Sequence, residues 1–181
     1  MYALTGMSGS SNIYLIGPMG SGKTAVGRAL ARVLRLTFYD SDVEIERRTG
    51  VDIPYIFEKE GEAGFRERER EVIDALTGLH SVVVATGGGA VLLEDNRLRL
   101  AQRGRVVYLK TGIKQQLERT RHGRQRPLLY TDDPEAKLQE LMALRAPLYE
   151  SIASITVETD GRHVRAVAED IVHHLTDAVT P

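Results

Sequence analysis

Gly17-Pro18-Met19-Gly20-Ser21-Gly22-Lys23-Thr24 fits G-x-x-x-x-G-K-[ST], a spacing suited to one kind of chemistry: holding a polyphosphate. Glycines let the backbone turn with no Cβ in the way, so successive N–H groups can face an anion. The helix that follows the loop adds the positive end of its dipole. Lys23 can reach β- and γ-phosphates, and the Thr24 hydroxyl can ligate Mg²⁺. Gly20, Ser21, Gly22, Lys23, Thr24 and Ala25 are therefore the candidate nucleotide-binding residues.

Three further constellations carry chemistry. Asp40-Ser41-Asp42 puts two carboxylates two residues apart. One could hold a metal-bound water while the other accepts or orients a hydroxyl proton; the competing reading is a helix N-cap. Gly87-Gly88-Gly89 costs backbone entropy, so something must approach it closely, an anion or a polyhydroxylated substrate, unless it only turns into the next helix. Arg66 and Arg145 have the planar fork that suits a carboxylate, and Glu69 lies one helical turn beyond Arg66. Taken singly, each of these two arginines reads as a solvated surface charge. Arg119, Arg121, Arg124 and Arg126 crowd a segment ending in Thr131-Asp132-Asp133-Pro134, a basic loop that could close over a triphosphate.

The elements that must position these residues are legible as an alternation. Strands are predicted at Asn12–Ile16, Leu36–Tyr39, Ser81–Ala85, Arg105–Lys110 and Ser154–Glu158, each short and apolar. Helical patterns lie between them; Val164, Val167, Ala168, Ile171, Val172 and Leu175 make an amphipathic stripe in the last. Such alternation implies an α/β fold, a parallel sheet flanked by helices. Ligands in these sheets sit beyond the carboxyl ends of the strands. The phosphate loop, the aspartate pair and the triple glycine each follow a predicted strand. Two stretches interrupt the alternation. Residues 41–78 read as a polar helical insertion, a substrate-binding subdomain, and residues 119–133 as a lid. Residues 1–11 read as a flexible tail and 12–177 as a single domain.

Bulk properties narrow the function class. The chain has 181 residues, enough for one sizeable core, with 42% hydrophobic and 27% charged residues and a net charge of −1. That balance argues against a nucleic-acid partner. With no cysteine, disulfides, thiol catalysis and cysteine metal sites are excluded. No apolar run approaches a membrane span, and the first dozen residues lack the pattern of a secretory signal, so a cytoplasmic enzyme is expected. None of the five histidines sits at a metal-ligand spacing with acidic neighbours.

Together, Asp40-Ser41-Asp42, Phe65-Arg66 with Glu69, Gly87-Gly88-Gly89, Arg126-Pro127-Leu128-Leu129 and Arg145-Ala146-Pro147-Leu148-Tyr149 resemble the shikimate kinase family over roughly residues 12 to 175. The resemblance implies a P-loop NTPase fold like that of nucleoside monophosphate kinases, with a five-stranded parallel sheet, a substrate-binding subdomain and a lid. It implies transfer of the ATP γ-phosphate to the 3-hydroxyl of shikimate, on the way to chorismate and the aromatic amino acids, with one Mg²⁺. By position it implies that Lys23 and the loop amides bind phosphates and that Thr24 and Asp40 serve the metal. Asp42 would bind the acceptor hydroxyls and act as base. Arg66 and Arg145 would clamp the carboxylate, and the amides of Gly88 and Gly89 would meet hydroxyls. Arg126 would swing in with the lid toward the transferred phosphate, and Arg119 would stack on adenine near Asp160–His163. A monomer is expected. A gluconate-type sugar-acid kinase is the alternative; a GTP switch would need an Asn-Lys-x-Asp element, which is absent.

Overall fold

A computed structural model describes residues 12–121 and 127–177. Five strands form: β1 (Ile13–Ile16), β2 (Thr37–Asp40), β3 (Val82–Ala85), β4 (Arg105–Lys110) and β5 (Ile155–Glu158). Each falls within one residue of its predicted range. They pair in parallel in the order β2-β3-β1-β4-β5. The helices are α1 (Lys23–Leu34), α2 (Ser41–Thr49), α3 (Ile53–Thr77), α4 (Glu94–Arg103), α5 (Ile113–Thr120), α6 (Pro134–Ile152) and α7 (Val164–Asp177).

The central strands β3, β1 and β4 are nearly continuous apolar runs because the sheet is covered on both faces there, while the edge strands β2 and β5 are only partly buried. Side chains alternate along a strand, so each strand feeds two cores. Tyr14, Ile16, Val82, Val84, Val106 and Tyr108 face one layer, built with Ile45 of α2, Phe65, Val72, Ile73 and Leu76 of α3, Leu100 of α4 and Tyr149 of α6. Ile13, Leu15, Val83, Val107 and Leu109 face the other, built from Val26 and Leu30 of α1 and from Val167, Ile171, Val172 and Leu175 of α7. All four residues of β1 are at most 2% exposed. Burying each such side chain is worth about 1.5–3 kcal/mol, which lets a four-residue strand hold the centre of the sheet.

The predicted polar insertion is two helices, α2 and α3, joined through Gly50, Val51 and Asp52 and packed against each other. Within α3 the helix breaks at Gly61, at φ 70° and ψ −175°. Glu60 and Arg68 span the break as a bidentate pair at 2.8 and 2.6 Å. Residues 1–11, the expected tail, lie outside the described residues.

Candidate active site

The carboxyl ends of β1, β2 and β3 open on one cleft of about 390 Å³. Its position follows from topology. β1 sends its chain into the phosphate loop, with β3 on one side and β4 on the other, the point where ligands collect in open α/β sheets.

The phosphate loop turns through Gly17, Gly20 and Gly22 at φ 146°, 74° and 88°, values that favour glycine. Gly22 caps α1 without a side-chain hydrogen bond, so the first amides of α1 meet no side-chain cap at the mouth of the loop. The Lys23 ammonium donates to the carbonyls of Gly17 (2.8 Å) and Pro18 (2.7 Å) and to Ser21 Oγ (3.3 Å). Gly20, Gly22, Lys23, Thr24 and Ala25 line the cleft. Ser21 is 1% exposed and braces the loop from behind.

Thr24 Oγ1 donates to Asp40 Oδ2 at 2.6 Å. The other oxygen of Asp40 accepts from the amides of Asp42 (3.0 Å) and Val43 (3.4 Å). The helix-cap reading is therefore right for Asp40, and the same carboxylate also reaches the phosphate loop. A hydroxyl beside one carboxylate is the donor set Mg²⁺ favours, since that ion keeps waters and phosphate oxygens as its other ligands. No cluster of three or more acidic or histidine side chains competes for a metal among the described residues. His80, His173 and His174 are exposed.

Asp42 differs from Asp40. Its Oδ1 is buried with no hydrogen-bond partner. Burial first, then the charges of Glu69 and Asp40, push its carboxyl up from 3.8 to about 7, against the opposing pull of Lys23 and Arg66. Glu69 is itself fully buried, and burial raises its carboxyl as well.

Both arginines that read singly as surface charges are buried, Arg66 at 8% exposure and Arg145 at 3%. The reason is convergence: α3 and α6 bring them together over the triple glycine. Arg66 Nη1 donates to Glu69 Oε2 at 2.8 Å, as the one-turn spacing implied, and Nη2 to Glu62 at 3.0 Å. Arg145 Nε is buried without a partner, and burial lowers the pKa of its guanidinium. A buried cation under that pressure is stabilised by an anion.

Two of the three glycines, Gly87 and Gly89, are explained by side chains pressed against them. A Cβ on Gly87 would lie 2.7 Å from Glu69 Oε1 and 2.9 Å from Asp42 Oδ1. One on Gly88 would stand 3.5 Å from Arg145 Nη1, and one on Gly89 would fall on the Arg66 guanidinium. The three glycines form a floor on which two arginines and two carboxylates meet.

Arg119 Nη1 donates to the Gly20 carbonyl at 3.0 Å, on the phosphate-loop side of the cleft. Arg126 lies outside the described residues, as does Arg124. Pro127 and Leu128 of the expected lid reach the cleft. At the expected adenine contact, both oxygens of Asp160 accept from Gly112 N at 3.0 Å, which ties this loop to the entry of α5.

Sequence reasoning gave no role to three residues here. Ser41 Oγ accepts from Gly87 N at 3.0 Å and joins α2 to the glycine floor. Tyr149 donates to the Gly88 carbonyl at 2.5 Å. Phe57 lines the cleft and contacts Phe65 with ring centroids 4.9 Å apart. Tyr149 was visible one turn beyond Arg145; the other two carry no local signal.

A model of the family described as shikimate kinase matches residues 19–176. A shikimate kinase of Halorhodospira halophila is 60% identical over 165 residues, covering 91% of this chain and 93% of that protein. The structure of shikimate kinase from Acinetobacter baumannii in complex with shikimate has a TM-score of 0.93 and 49% identity, covering 96% of this chain and 97% of that one. A gluconokinase from Sinorhizobium meliloti has a TM-score of 0.60 at 18% identity, a likeness of fold alone.

Proposed function

The chain belongs to the shikimate kinase family, and from that premise we propose how its residues divide the transfer of the ATP γ-phosphate to the 3-hydroxyl of shikimate. The protein is an ATP-dependent kinase acting on shikimate, and the gluconate alternative is set aside. One observation carries the division of labour. Two buried guanidiniums meet on a glycine floor beside Asp42, in the same cleft as the phosphate loop.

In our reading the phosphate loop amides and Lys23 hold the triphosphate. Lys23 leaves its loop carbonyls for phosphate oxygens, exchanging neutral partners for charged ones. Thr24 and Asp40 would hold one Mg²⁺, which would offset the negative charge of the phosphates. Arg66 and Arg145 grip the shikimate carboxylate, and Glu69 holds Arg66 in place. The amides of Gly88 and Gly89 meet hydroxyls. Asp42 accepts the proton of the attacking hydroxyl or orients it through the buried Oδ1. Arg119 covers the nucleotide, and Arg126 reaches the transferred phosphate from the lid at 119–133. Residues 41–78 act as the acceptor-binding subdomain within the single domain at 12–177. Positioning and charge stabilisation supply most of the rate in this scheme.

ATP as co-substrate supports a cytoplasmic location.

The test is a comparison of shikimate with its analogue carrying an alcohol in place of the carboxylate. Arg145→Ala should raise the shikimate KM about 10- to 100-fold, because a buried charge loses its partner. Wild-type enzyme should be similarly poor with the alcohol, and the variant should lose little further on it. A normal shikimate KM in Arg145→Ala contradicts the clamp.

A further inference from the structure

We infer that Tyr149 is a positioning residue that aims the Gly89 amide into the acceptor pocket. The inference rests on the acceptor-site reading of Gly89 given above.

Tyr149 is fully buried on α6 and stacked on Tyr108, with ring centroids 5.0 Å apart and planes 28° apart. Its ring therefore has little freedom, and its hydroxyl sits at a fixed point. That hydroxyl donates to the Gly88 carbonyl at 2.5 Å. The carbonyl of Gly88 and the N–H of Gly89 belong to the same peptide plane, and in a trans peptide they point in opposite directions. No cis peptide occurs among the described residues. Holding the carbonyl on Tyr149 thus directs the Gly89 N–H away from α6.

A run of glycines needs such a device. Three in succession have wide backbone freedom, and a peptide between two of them can flip at small cost. Gly87 and Gly89 cannot be replaced by stiffer residues, because Glu69, Asp42 and Arg66 occupy the space a Cβ would take. Stiffness must come from outside the loop. Ser41 supplies it at Gly87 and Tyr149 at Gly88. Arg145 is one turn before Tyr149 on α6 and close enough to act on its phenol. One helix thus carries a carboxylate-clamping cation and the group that orients the neighbouring amide.

Tyr149→Phe keeps the ring and its stacking and removes one hydroxyl, so the fold is retained. The shikimate KM should rise roughly three- to tenfold, the effect of one lost buried hydrogen bond, while the KM for ATP is little changed. In ¹⁵N-glycine-labelled enzyme, shikimate should shift the Gly89 amide resonance strongly in wild type and weakly in Tyr149→Phe. An equal shift in both proteins with an unchanged KM overturns the inference and leaves the acceptor reading standing. A raised KM with the full Gly89 shift retained assigns the effect to Arg145 and also overturns it. No Gly89 shift in wild type removes Gly89 from the acceptor site, and the inference falls with it.

Discussion

At the scale of residues, the site depends on placing charges where water cannot reach them. Asp42 is the clearest case, since its carboxyl is pushed up to about 7 by burial and by Glu69. An unfolded chain releases this proton near 3.8 and the folded one near 7, so across that window the folded state binds more protons. Rising pH therefore works against folding through Asp42 between those values. Asp42→Asn should melt above wild type at pH 8, with the gap closing toward pH 4, while turnover collapses. In wild type, kcat/KM for shikimate should climb as pH passes about 7, because only the ionised form can accept the hydroxyl proton or orient it by accepting its hydrogen bond. A flat profile from pH 6 to 8 contradicts the role given to Asp42. The identities of Lys23, Thr24, Asp40 and Asp42 were legible because short spacings carry their logic. The burial of Arg66 and Arg145 was not. Nothing local distinguishes an arginine held over a glycine floor by two distant helices from one in solvent.

At the scale of elements, α3 has two tasks. Its second half must carry Arg66 and Glu69 on one face, and its first half must bring Phe57 to the cleft. The helix breaks between these two halves, at Gly61. Its φ of 70° with ψ of −175° is a conformation essentially confined to glycine. A Cβ there would meet nothing within 4 Å, so substitution costs strain without a clash. Gly61→Ala should lower unfolding free energy by about 1–3 kcal/mol in urea titrations. It should also weaken shikimate binding as Phe57 shifts. Unaltered stability would mean that the break is incidental. The strands were readable to within a residue because a sheet covered on both faces needs apolar runs. The break was not, since Gly61 and Gly64 lie three residues apart in a charged stretch and the sequence does not say at which of them the helix is left.

At the scale of the whole molecule, the order β2-β3-β1-β4-β5 turns sequence-distant loops into one site. The phosphate loop after β1, the aspartates at the end of β2 and the glycines after β3 become neighbours because those strands are. The alternation of elements was sufficient to expect this architecture, and the resemblance of the motifs was sufficient to expect the acceptor. Neither could place Tyr149 or Ser41, whose roles depend on contacts between elements far apart in sequence. The central claim is that this architecture serves shikimate and no other acceptor. ADP release from Mg-ATP, measured with shikimate, gluconate, AMP or no acceptor, tests it most directly. Rapid release with shikimate alone is the predicted result. Equal slow release in all four, or faster release with gluconate, would contradict it.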